Sequence, residues 1–143
     1  MDGSNKIAFI SGHRDITQEE FQKNYVPAIM DHAMSSGWFV VGDCDGCDKM
    51  AAEFIADIAK ILPNAIHLTI YHMFDTPRFE IELKDTRNPE SSIDYIGYYE
   101  TDIERDFAMT KDSDFDIAFI RDKSKWKSGT AQNLLRRHTM KND

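Results

Sequence analysis

The chain reads as an α/β domain: a central parallel sheet, strands in the spatial order 3-2-1-4, with helices on both faces. Two observations predict this. Short apolar runs, KIAFISG, WFVV, AIHLTIYHM and FDIAFI, recur along the chain, and runs of this length bounded by turn residues mark buried strands. Segments of helical period separate them, and strand–helix–strand alternation favours right-handed crossovers and a parallel sheet. The length of 143 residues suits a single domain spanning 1–143. A domain of this size buries about 68–70% of its unfolded surface and needs no disulfide to fold.

The first strand runs from Lys6 to Gly12. Thr17 followed by Glu20 forms a capping box that starts a helix. Phe21, Tyr25, Ile29 and Ala33 then repeat along one helix face. Pro27 predicts a kink or break, and Gly37 ends the segment. Trp38–Val41 is the second strand. After GDCDGCD, the positions Met50, Phe54, Ile58 and Leu62 mark a second helix, closed by Pro63 and Asn64. Ala65–Met73 is the third strand. Residues 74–98 carry two prolines, many charges and no clean period. They read as an irregular insertion or lid with at most one short strand or helical turn. Tyr99, Ile103 and Phe107 form a helical stripe, Phe115–Ile120 a fourth strand, and SGT opens a last helix through Leu134 and Leu135.

Seventeen Lys and Arg against 25 Asp and Glu give a formal net charge of −8. That balance disfavours sequence-independent binding to nucleic acid, which needs clustered cations. Arg136, Arg137, His138 and Lys141 are instead expected to complement the dipole of the last helix. No run is long and apolar enough for a membrane span, and the first residues lack the pattern of a signal peptide. The expectation is therefore a cytoplasmic protein with no membrane partner. Cys44 and Cys47 are expected to be thiols: no second Cys pair or His spacing completes a zinc site, and the nearby aspartates raise rather than lower a thiol pKa. Neither a metal nor a cofactor is expected. A homo-oligomer is compatible with the chain, with Trp38 or Trp126 at the interface if exposed.

Three glycine turns follow apparent strands: Gly12 in SGHRD, Gly42 and Gly46 in GDCDGCD, and Gly129 in SGT. Parallel α/β sheets bind ligands outside the carboxyl ends of their strands. Ser128-Gly129-Thr130 at a helix start is the best phosphate cradle, because its N–H groups are open and the dipole favours an anion. His13 and Arg14 stand directly after the first strand, where the arginine can reach the same phosphate. Asp43 and Asp45 are candidates to accept from ribose hydroxyls, and Asp48 is expected to cap or charge its helix. Asp102, Arg105, Asp106 and Met109 share one helix side, presenting Arg105 either to a surface ion pair or to a ligand. His67 and His72 lie on an apparent strand and read as structural.

The segments KIAFISGHRDIT, VVGDCDGCDKMAAEFI and ERDFAMTKDSDFDIAFIRDKSKWKSGTAQNLL resemble, in order and spacing, the SLOG superfamily. That group includes the Lonely Guy phosphoribohydrolases, the YpsA-like proteins and the DNA-processing A proteins. The small stand-alone type is the nearest pattern. Its turns and helix correspond to Gly12-His13-Arg14, Gly42 to Lys49, Arg105-Asp106 with Met109, and Gly129-Thr130 with Asn133. The resemblance implies a Rossmann-like three-layer fold and a nucleotide or nucleoside-phosphate ligand. The phosphoribohydrolases use a glutamate where this chain has Asn133, and Trp126-Lys127-Ser128 replaces their Pro-Gly-Gly. Cleavage at an N-glycosidic bond, or (deoxy)ribosyl transfer, would then need another acid, with Asp43, Glu100 and Asp102 as candidates. The reading favoured is a binding or sensing domain. The alternatives are that hydrolase or transferase and a DNA-processing accessory protein.

Overall fold

The computed structural model describes residues 6–122 and 128–141. Trp126 and the side chain of Lys141 lie outside the described residues. The elements are β1 (Ile7–Ser11), α1 (Gln18–Asn24), α2 (Val26–Ser35), β2 (Trp38–Val41), α3 (Cys47–Ile58), β3 (His67–Met73), β4 (Ser92–Tyr99), α4 (Asp102–Lys111), β5 (Phe115–Ala118) and α5 (Gly129–Lys141). All five strands pair in parallel, in the order β4-β3-β2-β1-β5.

Residue alternation along each strand builds the layers. Ala8 and Ile10 of β1, Phe39 and Val41 of β2, and Leu68 and Ile70 of β3 face a core shared with Phe21, Ile29 and Ile55 of α1, α2 and α3. Phe9, Val40 and Tyr71 face the opposite side and pack on Met109 of α4. The result is a Rossmann-like three-layer α/β fold. No helix among the described residues is long and apolar enough to cross a membrane.

The capping box forms as read, with Thr17 Oγ1 accepting from the Glu20 N–H and Glu20 accepting from the Thr17 N–H. The chain breaks at Tyr25, and Pro27 falls in the first turn of α2, where its missing N–H costs nothing. The strand order departs from 3-2-1-4 through one extra edge strand. Residues 92–99, read as insertion and helix stripe, form β4 along β3, in register from His67↔Ser92 to Tyr71↔Ile96 and shifted by one residue at Met73↔Tyr99. Tyr99 thus ends a strand rather than starting a helix. An edge strand with one face in solvent lacks the continuous apolar run of the central strands. Gly97 hides it further: a Cβ there would fall 2.0 Å from Cε1 of His72, whose ring lies against the strand.

The crossover from β3 to β4 is docked rather than free. Phe79 is buried in the main core, with Ile81 and Leu83 packed against it. The Arg87 N–H donates to the Ala59 carbonyl, and its guanidinium to the Ile61 carbonyl. Arg137 also departs from expectation. It is buried between α4 and β5, pairing with Asp116 at 3.1 Å and donating to the carbonyls of Thr110 and Ser113. It therefore ties two layers together instead of only complementing a helix end.

Tyr25 holds the sheet where its order reverses. Its fully buried hydroxyl donates to the Ser11 carbonyl and accepts from the Phe119 N–H, joining the ends of β1 and β5. Tyr25→Phe leaves both groups unpaired at unchanged shape and should cost about 1–3 kcal/mol. Urea denaturation of the two proteins checks this; a variant as stable as the parent would refute the role.

Candidate functional site

A cleft of about 390 Å³ opens beyond the carboxyl ends of the strands, where β1 separates β2 from β5. Its volume lies in the range of small-molecule sites. The turn after β1 contributes Gly12, His13 and Arg14, and the turn after β2 contributes Gly42 and Cys44. One wall is α4, through Asp102, Arg105, Asp106 and Met109. The other is the start of α5, through Ser128, Gly129, Thr130 and Asn133. The three glycine turns read from the sequence therefore meet at one cleft.

Its floor is organised around Arg105, only 4% exposed. Nη1 donates to Asp43 Oδ1 at 2.9 Å, and Nε and Nη2 donate to Asp106 Oδ1 at 3.3 and 3.1 Å. Asp102 stands 3.3 Å away. Burial opposes the arginine's charge, but Asp106 leads a set of negative groups that hold its pKa above the ordinary range. Gly42 admits this packing: a Cβ there would lie 2.8 Å from Asp48 Oδ2 and 3.2 Å from the Arg105 guanidinium carbon. Arg105 is thus committed to protein carboxylates. Arg14, with a side chain 63% exposed and a single ion pair to Asp102 at 3.5 Å, is the more available cation.

Asp48 does not use its carboxylate on its own helix. Oδ2 accepts from the Cys44 N–H at 3.0 Å, closing the turn before α3. Burial pushes its pKa up to about 7, against the opposing effects of that hydrogen bond and of Arg105. Burial likewise raises Asp106, again against Arg105. The cleft therefore holds two carboxyls that resist ionisation. Cys44 and Cys47 are both buried thiols. Burial first, and Asp48 second, raise their pKa values, so the aspartates are not the main cause.

At the start of α5 the Ser128 hydroxyl caps the helix by accepting from the Ala131 N–H at 3.2 Å. Helix geometry leaves the N–H groups of Gly129 and Thr130 without intrahelical partners. Among the described residues, a Cβ on Gly129 would meet nothing within 4 Å. Packing therefore does not account for a glycine there. Asn133 is buried, and its side-chain oxygen accepts from Arg136. On the opposite side, His13 Nε2 accepts from the Arg121 N–H, joining the turn after β1 to the chain beyond β5.

Four sequence candidates stand outside the cleft lining. Asp43 is completely buried behind Arg105 and also accepts from the Arg78 N–H at 3.0 Å. It positions Arg105 rather than meeting a sugar or acting as a catalytic acid. Asp45 and Glu100 are exposed and do not line the cleft. Gly46, at φ +78°, lets the start of α3 pack on the first turn, since a Cβ would fall 2.1 Å from the Arg14 carbonyl oxygen. Conversely, Ser11, Cys44 and Asp48 line the cleft unforeseen. Asp48 follows Cys47 at the start of α3, and only the fold of the preceding turn turns its carboxylate inward. No family model matches the chain, and no curated protein or solved structure matches it significantly.

The Asp48 shift makes stability depend on pH. Between its ordinary value of 3.8 and about 7, the folded protein keeps a proton that the unfolded chain has lost. The contribution of Asp48 to stability therefore falls as pH rises through that window and levels off above it. Asp48→Asn keeps an acceptor for the Cys44 N–H and removes the slope. It should gain on the parent by a few kcal/mol, about 1.4 per pKa unit, from the acid to the alkaline side. Urea titrations of both proteins at several pH values test this. Parallel curves would show that Asp48 titrates normally.

Proposed function

We propose that the cleft binds the phosphate of a nucleotide or nucleoside phosphate. One observation carries the reading: Gly129 opens α5 at the cleft wall, and among the described residues nothing packs where its side chain would be. A glycine at such a place allows an anion to approach the open N–H groups of the first turn, where the helix dipole also favours negative charge. The Thr130 hydroxyl is a further donor on the same turn. Arg14, across the cleft and largely exposed, supplies the full charge and can grip two oxygens at once. Ser11 supports a polar occupant as well: it lines the cleft, is 6% exposed, and its hydroxyl has no hydrogen-bond partner among the described residues. The carboxyls of Asp48 and Asp106 suit donors on a sugar or base.

A second reading is cleavage or transfer at an N-glycosidic bond. It draws on Asp48, since an acid held protonated near neutral pH can protonate a leaving group. Asn133, an amide, does not supply the carboxylate of the phosphoribohydrolases that the sequence resembles. The third reading, a nucleic-acid accessory, has against it the net charge of −8.

Calorimetric titration with nucleoside monophosphates separates these readings. Gly129→Val should abolish binding and leave the fold intact, because its side chain enters open space. Arg14→Gln should weaken binding by about 1.5–3 kcal/mol, the loss of a charged hydrogen bond. Equal affinities for the parent and Gly129→Val would move the phosphate elsewhere, and release of free base would favour the glycosidic reading.

A further inference from the structure

Arg14 is not the only cation at the mouth of the cleft. Arg78, from the crossover between β3 and β4, reaches two residues of the cleft lining, Cys44 and Asp102. Its backbone N–H donates to the buried Asp43, its Nη1 to Cys44 Sγ at 3.2 Å, and its Nη2 lies 3.9 Å from Asp102 Oδ1. Arg14 Nη2 stands 3.5 Å from the other oxygen of the same carboxylate. Asp102 thus lies between two arginines that are both substantially exposed, 63% for the Arg14 side chain and 39% for that of Arg78.

The fit between them is poor. Asp102 Oδ1 is buried yet accepts no hydrogen bond from the described residues, although Arg78 and Arg105 are both within 4 Å. An arginine fork normally meets a carboxylate through short, paired N–H···O bonds. Here the contacts are charge proximity alone, and part-exposed pairs of that kind are weak. A phosphate group carries more charge and more acceptor oxygens, and it can engage two guanidinium groups at once.

We propose that Arg14 and Arg78 form an anion subsite for a phosphate group, and that Asp102 occupies it in the free protein as an internal competitor which the ligand displaces. The inference rests on the phosphate reading of the cleft and deepens it. It adds Arg78 as a binding residue on a segment outside the helices and central strands. It also assigns Asp102 an inhibitory role rather than a catalytic one. Arg105 takes no part, since Asp43 and Asp106 hold it in the floor.

The test is calorimetric titration of inorganic phosphate into the full chain. The proteins are the parent, Asp102→Asn, Asp102→Ser, Arg78→Gln and the double variant Asp102→Asn with Arg78→Gln. Far-ultraviolet circular dichroism checks that each is folded. Removing the competitor should tighten phosphate binding by about three- to tenfold, the scale of one or two part-exposed ion pairs. Both Asp102 variants should show the gain, and Arg78→Gln should cancel most of it. Phosphate binding that is unchanged, weakened or undetectable in both Asp102 variants overturns the proposal, as does a gain that survives loss of Arg78. Nucleoside monophosphates titrated in parallel keep the two readings apart. If they fail to bind while phosphate follows the expected pattern, the nucleotide reading falls and the anion subsite stands.

Discussion

The buried pair between Asp43 and Arg105 connects the parts of this molecule that bear on its site. Asp43 follows β2, Arg105 belongs to α4, and the same carboxylate receives the backbone of Arg78 from the crossover to β4. One fully buried anion therefore fixes three segments far apart in sequence. Taking such charges out of water is expensive, and it is tolerated only where geometry and hydrogen bonding are nearly complete. Asp43 meets that demand with two partners and Arg105 with several. Loss of either would leave an uncompensated charge beneath the cleft.

That pair also determines the electrostatics above it. Arg105 neutralises a floor that would otherwise be a cluster of carboxylates, and burial leaves Asp48 and Asp106 reluctant to ionise. An acidic protein can thereby present a cleft whose accessible full charges sit at its mouth, on Arg14, Arg78 and Asp102. The phosphate site proposed above would then rest on few contacts: an open helix start on one side and arginines on the other. The same frugality explains how a carboxylate such as Asp102 can occupy the cationic position when nothing else does.

The position of the cleft follows from topology. Chain order reverses beside β1, and the turns after β1 and β2 diverge there from the start of α5. Tyr25 pins the ends of β1 and β5 together below the opening. A Cβ at Gly12 would collide with the Tyr25 hydroxyl and the Cys47 sulfur. The glycine turns thus do different work. Gly12, Gly42 and Gly46 make room for protein, while Gly129 leaves room for something else.

Much of the scaffold was legible in the sequence alone. The central strands, the capping box at Thr17, the break before Pro27 and the gathering of the glycine turns all follow from local signals: apolar runs, capping chemistry and the rule that ligand loops follow parallel strands. These signals depend on residues close in sequence. The edge strand β4 reads only as one short strand or helical turn within an insertion, because its outer face is solvated and His72 packs over Gly97. Arg137 looked like a helix-end cation, and only the packing of α4 on β5 buries it. Asp43 looked like a ligand contact and lies buried behind Arg105, while Asp48 stands in the first turn of α3 as read but aims its carboxylate at the preceding turn. Which way a carboxylate points, and whether its partner is water, an arginine or a buried amide, is decided by segments dozens of residues away. The sequence by itself determined the architecture and the edge of the sheet where the cleft opens. The tertiary structure decided which charges are spent on holding the fold and which remain at the cleft.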